Sequence, residues 1–266
     1  MSNQVDLYQS TYGNFQEQVL AAVRRETYGE DIGQNSWITT VEYDTFYSWL
    51  ELAPGDHVLE IASGSGGPAL YLAKKHSCRI TGVDINEEGI KSANQQALDS
   101  HIREATFRRA DVTQHLPFDN ETFDAVMCID SVNHFGDRLA VLREWHRVLK
   151  TGRRILFTDP VIITGPVSNE ELAARSSIGF FIFMPLEVTQ RFIDEAGFQL
   201  IRCEDVTGNI ELTSGRWHAS RQRHRQDLIR IEGKERFEGL QTFFATVHKL
   251  SSERRLSRFV FLAEKS

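Results

Sequence analysis

The sequence predicts an α/β protein: a doubly wound, mostly parallel seven-stranded sheet, with a helical cap before it and a helical insertion before the last strand. Three observations carry this. Short apolar runs alternate with segments of helical period over most of residues 57–206. The first run, in VLEIASGSGGPALYLA (residues 58–73), passes through three glycines straight into an apolar helix pattern. Successive runs then end in a carboxylate, as in RITGVD and RADVT, where sheets of this kind bind ligands beyond the carboxyl ends of their strands.

Each element has its own local reason. Residues 1–50 read as helical, with Phe15, Val19 and Val23 on one face and Phe46 and Leu50 on another. Residues 57–62 read as the first strand and 68–75 as the helix after it. Pro68 suits the first helical turn, where its missing N–H costs nothing. Residues 79–84 are a second strand. Asn86 is placed to cap a helix whose Ile90, Ala93 and Ala97 share a face. Strands follow at 105–110 and 123–129. The next helix carries Leu142, Trp145 and Leu149 and closes at the Thr151–Gly152 turn, before a fifth strand at 154–157. A helix at 186–196, a strand at 199–206 and a final strand at 259–263 complete the pattern. The expected divisions are a cap over 1–50, a core over 51–206, a helical insertion over 207–257, and the last core strand within 258–266.

Composition narrows the function classes. Of 266 residues, 41% are hydrophobic and 25% charged, the balance of an ordinary globular protein. A formal charge of −7 argues against a nucleic-acid or anionic-membrane partner, since both favour a basic face. Cys78, Cys128 and Cys203 are scattered and odd in number, which suggests reduced thiols, a cytoplasmic location and no metal site. The N-terminus shows no basic segment leading into an apolar one, so no leader peptide is read there. The longest apolar run, about residues 178–186, is too short to span a bilayer.

The glycine turn poses the functional question. Gly64, Gly66 and Ala69 fit GxGxxG/A, which taken alone suggests a dinucleotide site. Glu60 precedes the glycines inside the strand end, where a carboxylate would repel a pyrophosphate. Asp84 ends the second strand and can accept from both ribose hydroxyls, a role that nicotinamide enzymes share. Asp111 ends the third strand and can take the exocyclic amine of adenine, with the N–H of Val112 facing a ring nitrogen. Acids at three successive strand ends suit a ligand without phosphate: an amino acid joined to adenosine through a cationic sulfonium.

At this point four segments carry a specific resemblance: VLEIASGSGGPALYLA, ITGVDINEEGI, RRADVTQHLPFDNETFDAVMCIDSVNHF and REWHRVLKTGRRILFTD. In order and spacing they resemble the motifs of class I S-adenosylmethionine-dependent methyltransferases over residues 52–160. Within that superfamily the chain looks most like the small-molecule group, which includes the phosphoethanolamine, sarcosine/dimethylglycine and ubiquinone-pathway enzymes. The resemblance implies a Rossmann-like fold and S-adenosyl-L-methionine as cofactor, with S-adenosyl-L-homocysteine as product and no metal. It implies that Glu60, Ala62, Ser63, Gly64 and Gly66 line the methionine part, Asp84 and Ile85 the ribose and adenine, and Asp111 and Val112 the adenine. Asp130 would lie near the methionine amine or the acceptor. Ala62 departs from the family, whose members usually have glycine there, and its methyl group is expected to crowd the cofactor.

The acceptor is expected to be a small molecule with an apolar part, methylated at N, O or C. Asp130 and His134, in DSVNHF after the fourth strand, are the catalytic candidates, His134 as a base. The segment GEDIGQNSWIT (residues 29–39) stands where the small-molecule group covers its cofactor. Gln34 with Asn35, Ser36 and Trp37 is expected to reach the methionine carboxylate or the acceptor. Tyr12 and Tyr28 are candidates to close over the site or simply to pack. The run IGFFIFMPL (residues 178–186) reads as core or as an acceptor wall. The tract GRWHASRQRHRQDLIR (residues 215–230) reads as a solvated helix face, with recognition of an anionic acceptor as the functional alternative. Two other readings stay open. One is a nicotinamide-dependent oxidoreductase, supported by GxGxxA and Asp84. The other is a non-catalytic S-adenosylmethionine-binding protein, supported by Ala62. The oligomeric state is not legible.

Overall fold

The structure, a computed structural model, describes residues 17–266; the expectations for Tyr12 and Phe15 lie outside the described residues. Two helices come first, α1 (Gln18–Tyr28) and α2 (Thr40–Ser48). Then follow β1 (His57–Ile61), α3 (Gly67–His76), β2 (Arg79–Asp84), α4 (Glu87–Asp99), β3 (Ala105–Arg109) and β4 (Phe123–Cys128). Pro68 sits in the first turn of α3, and Asn86 caps α4 by accepting from the Gly89 N–H at 2.9 Å. Ile90, Ala93 and Ala97 are all buried.

A 3-10 turn (Val132–His134) leads to α5 (Arg138–Val148), β5 (Leu149–Ile163) and α6 (Asn169–Arg175). The chain continues through β6 (Met184–Pro185), α7 (Leu186–Glu195) and β7 (Phe198–Asp205). Three helices, α8 (Thr207–Arg223), α9 (Arg225–Glu232) and α10 (Lys234–Ser252), separate β7 from β8 (Leu256–Lys265).

The strands form one sheet in the order β3-β2-β1-β4-β5-β8-β7, with the two-residue β6 beside β5 as an eighth strand. All neighbours are parallel except β8, which runs antiparallel to both β5 and β7. Parallel strands need crossover helices, and these cover both faces, so the central β4 is buried along its whole length. One face packs against α2, α3 and α4 through residues such as Phe46, Leu70 and Ile90. The other packs against α5 and α7 through Leu142, Trp145 and Ile193. Strand order reverses between β1 and β4, which opens a crevice at their carboxyl ends.

The fifth strand differs from expectation. It starts at Leu149 rather than 154 and runs on through Pro160 to Ile163. Gly152, at φ +73°, and a register shift against β4 absorb the turn read at Thr151–Gly152. Pro160 lies where the pairing of β5 with β8 shifts register between Asp159 and Ile162. That irregularity tolerates a residue with no N–H.

The helices flanking the sheet pack on each other. Val23 of α1 meets Leu228 of α9 and Phe237 of α10. Trp37 meets Phe243 and Phe244 of α10, with Ile178 and Ile210 beside them. Among the described residues no helix is long and apolar enough to cross a membrane.

Candidate active site

The turn after β1 is built by backbone geometry. Ala62, Gly64 and Gly66 all have positive φ, at 56°, 55° and 78°. Gly66 is required twice over. Its φ disfavours a side chain, and a Cβ there would stand 2.7 Å from Ala93 Cβ and 2.8 Å from the Phe107 ring. Ala62 was expected inside the strand with its methyl crowding a ligand. It lies instead just past β1 in the left-handed region, so the departure from glycine is first a backbone matter.

Two carboxylates flank this turn. Asp84, buried at the end of β2, accepts the Gly64 N–H and the Asn86 N–H, each at 2.8 Å. Burial raises its pKa against these hydrogen bonds. Glu60, buried near the end of β1, accepts from the Tyr43 hydroxyl on Oε1 at 3.2 Å, while its Oε2 is buried without a hydrogen-bond partner. Burial pushes the Glu60 carboxyl up to about 8, with the charge of Asp84 adding to the effect. The Ser63 hydroxyl is a second buried polar atom without a partner. An orphaned acidic oxygen and an orphaned hydroxyl fit a ligand that brings an ammonium group, and fit a pyrophosphate poorly.

A pocket at this turn is lined by Gly33, Glu60, Ser63 and Gly64, together with Asn35, Ser36 and Asp130. A second, largely apolar cavity of about 100 Å³ has Tyr28, Trp37, His134, Phe181, Trp217 and Phe243 among its walls. Asn35, Ser36 and Asp130 line both. The two chambers therefore adjoin across a partition made of one short loop and Asp130, two residues beyond β4.

Asp130, a catalytic candidate from the sequence, lines both chambers and is held by hydrogen bonds on each side. It has φ +55°, and its N–H donates to Thr158 Oγ1 at 2.7 Å. Its Oδ2 accepts the Trp37 N–H at 2.8 Å, and its Oδ1 accepts from the Thr158 hydroxyl and from Arg258 Nε, each at 2.7 Å. A carboxylate with both oxygens so engaged is a fixed anchor and a poor proton shuttle. Arg258, fully buried on β8, extends the network by donating through Nη1 to both oxygens of Glu42, at 2.8 and 2.7 Å. Arg258 escaped the sequence reading. Its only local signal is a charged residue directly before the apolar run 259–263.

His134 lies on the second cavity. Its Nδ1 is 2.6 Å from the Phe180 carbonyl oxygen, which assigns the proton to Nδ1 and leaves Nε2 as the acceptor. Burial lowers the His134 pKa and the charge of Arg175 adds to this, so the imidazole is neutral near pH 7. The ring meets Phe181 edge-on at 4.6 Å between centroids. Arg175 is itself buried, with its guanidinium 4.8 Å from the Phe181 ring centre and 5.2 Å from that of Phe243.

The other candidates fall in varied places. Gln34 is fully buried, and its amide is used within its own loop, accepting from the Ile32 N–H and donating to the Glu30 carbonyl. It lines neither chamber. Ile85 is 62% exposed at the rim beyond β2. Asp111 is exposed and turns its Oδ1 to the N–H and hydroxyl of Thr113, while the next residue, Val112, is buried in the sheet's second core. The run 178–186 is a wall more than a core: Phe180 is exposed, whereas Ile178 and Phe181 face the second cavity. The basic tract divides. Arg223 and Arg230 are exposed and pair with Glu26 and Asp227, and Arg225 is half-buried and pairs with Glu238, but Arg221 is buried against Glu232 and lines the cavity.

A doubly wound sheet with a glycine turn at its switch point and acids at its strand ends is a Rossmann-like fold. The family described as methyltransferase domain matches residues 59–157. The 27-O-demethylrifamycin SV methyltransferase of Amycolatopsis mediterranei (strain S699) is 28% identical over 229 residues, 81% of this chain and 78% of that protein. A sarcosine/dimethylglycine N-methyltransferase of Halorhodospira halochloris is 30% identical over 196 residues, 69% of this chain, and the chain spans 63% of that relative's length. Among solved structures, phosphoethanolamine N-methyltransferase 2 of Haemonchus contortus, in complex with phosphomonomethylethanolamine and S-adenosylhomocysteine, has the same fold. Its TM-score is 0.82 at 17% identity, covering 98% of this chain and 60% of that one. The matched domain and the named relatives, which act on small molecules, support a class I S-adenosylmethionine-dependent methyltransferase.

Proposed function

We propose that the protein transfers a methyl group from S-adenosylmethionine to N, O or C of a small molecule with an apolar body, held in the aromatic cavity. The observation that carries the reading is the partition: Asn35, Ser36 and Asp130 line both the glycine-turn pocket and the aromatic cavity. Donor and acceptor chambers that share a wall can present a nucleophile in line with a methyl group while excluding water.

The chain's own residues take these roles. Glu60 and Ser63 receive the methionine ammonium, which the orphaned Oε2 and Oγ are placed to accept. Asp84 takes the ribose hydroxyls while holding the Gly64 N–H. Ile85, Asp111 and Val112 frame the adenine at the rim. When bound, S-adenosylmethionine supplies an electrophilic methyl group on a sulfonium, and its departure needs no proton. The acceptor does need to lose one if it is a hydroxyl or a charged amine, and the neutral imidazole of His134 on the cavity wall is the base assigned to take it. No metal is needed for this chemistry. Three free cysteines fit a reducing compartment, so the proposed location is the cytoplasm.

The test is incubation with methyl-deuterated S-adenosylmethionine and a panel of amines, phenols, carboxylates and apolar alcohols, read by mass spectrometry. A labelled product that forms only with the protein supports the reading. Tight S-adenosylhomocysteine binding with no transfer to any acceptor would favour a non-catalytic binding protein. Binding of NADH in preference to S-adenosylhomocysteine would restore the oxidoreductase alternative.

A further inference from the structure

We infer that Arg258 and Asn209, which line neither chamber, are positioning residues that set the partition between methyl donor and acceptor. The inference rests on the reading of the two chambers given above.

The argument starts from Trp37. Both of its backbone groups are tied from outside its own loop. Its N–H donates to Asp130 Oδ2 at 2.8 Å, and its carbonyl accepts from Asn209 Nδ2 at 2.7 Å. Asn209, near the start of α8, also donates to Glu42 Oε2 at 2.7 Å. Arg258 closes the ring from β8. Nε and Nη2 reach Asp130 Oδ1 and Oδ2 at 2.7 and 3.3 Å, while Nη1 takes both oxygens of Glu42. The Arg258 guanidinium, carried by the last strand, thus joins Glu42 of α2 to Asp130 just beyond β4, and through Asp130 it reaches the loop before α2. The residues just before Trp37 are Asn35 and Ser36, the loop part of the partition.

Stability alone does not explain this arrangement. One cation is buried against two carboxylates, and burial raises the Glu42 pKa in spite of Arg258. Buried ion pairs add little over well-packed apolar residues of the same shape. What the arrangement does supply is geometry. The planar fork of an arginine holds two carboxylates at a fixed separation, and a lysine, as a point charge, does not reproduce that. Asp130 is thereby aimed at the Trp37 N–H and kept out of proton transfer. Asn209 carries the same restraint from the insertion, so the wall of the acceptor chamber is registered to the wall of the donor chamber.

The experiment compares Asn209→Ala, Arg258→Lys and the double variant with wild type, using an acceptor found in the panel above. S-adenosylhomocysteine affinity, thermal midpoint, kcat and acceptor KM are measured for each. The expected result is S-adenosylhomocysteine affinity within about threefold of wild type and kcat lower by about 10- to 100-fold. A misplacement of reacting groups by an ångström has that scale of effect. KM should change less than kcat. The double variant should lose less than the product of the single losses, because both changes act on one loop. A lower thermal midpoint with kcat per folded molecule within twofold of wild type overturns the inference. Asn209→Ala removes no charge and carries the test if Arg258→Lys does not fold. Wild-type turnover separates the two levels: if wild type transfers no methyl group, the reading of the chambers fails and this inference with it. If wild type turns over and the variants match it, this inference alone fails.

Discussion

Tyr43 and Glu60 share a buried hydrogen bond, the Tyr43 hydroxyl donating to Glu60 Oε1 at 3.2 Å, while the second carboxylate oxygen stays buried and unmatched. Tyr43 belongs to a helix outside the sheet, so an α2 residue settles the orientation of a β1 carboxylate.

Glu60 makes stability fall as pH rises. Its folded pKa is raised to about 8, while an unfolded glutamate ionises near about 4.3. Between these values the folded protein keeps a proton that the unfolded chain has lost. The stability is therefore complete below the unfolded pKa and is lost progressively up to about pH 8. Urea unfolding at pH 5, 6.5 and 8 should show a decline that Glu60→Gln reduces. Parallel declines in the two proteins would refute a raised Glu60 pKa. The same shift predicts release of up to about one proton when a cationic ligand binds beside Glu60 near pH 7, measurable by calorimetry in buffers of different ionisation enthalpy.

Asp84→Ala should weaken S-adenosylhomocysteine binding about ten- to a hundred-fold. That is the loss of charge-assisted hydrogen bonds worth about 1.5–3 kcal/mol. Because Asp84 also holds the Gly64 and Asn86 N–H groups, the thermal midpoint should fall too. Asp84→Asn, which retains an acceptor oxygen, should recover part of both. Unchanged affinity in folded Asp84→Ala would remove this residue from the cofactor site.

Ala62→Gly should stabilise the protein. The left-handed φ of 56° costs an alanine about 1–2 kcal/mol, against about 0.5–1 kcal/mol of extra backbone entropy for glycine. The net gain expected is about 0.5–1 kcal/mol, with cofactor affinity equal or higher. A destabilised Ala62→Gly would show that the methyl group packs productively and that the strain argument is wrong.

His134→Ala should lower kcat about 10²- to 10⁴-fold, the usual cost of losing a general base, and leave S-adenosylhomocysteine affinity near wild type. In wild type the base is lost by protonation, so kcat should fall as pH drops through a value below the ordinary histidine pKa of about 6.5 and stay level above it. That acid limb should vanish in the variant. If kcat per folded molecule is unchanged and only stability drops, the contact of Nδ1 with the Phe180 carbonyl is structural.

The sequence by itself determined the sheet, its crossovers, the glycine turn and the acids at the strand ends. All of these are short-range signals: a period of two or 3.6, the Asn86 cap, Pro68 in a first turn, glycines at a strand end. Tertiary structure decided the rest. Asp130 reads as a free acid until Arg258, 128 residues further on, is placed against it. Arg221 reads as part of a solvated tract until Glu232 and the rings of α10 enclose it. Ala62 reads as strand until its φ is known, and the fifth strand reads as ending at 157 until β8 supplies the register shift that carries it through Pro160. The aromatic cavity was the least legible feature, because its walls come from α1, the loop before α2, the segment after α6 and the insertion helices. Periodicity shows that a helix has an apolar face but not which other face it meets. That choice is made by the packing of the whole chain, and with it the charges that end up paired and those that face a ligand.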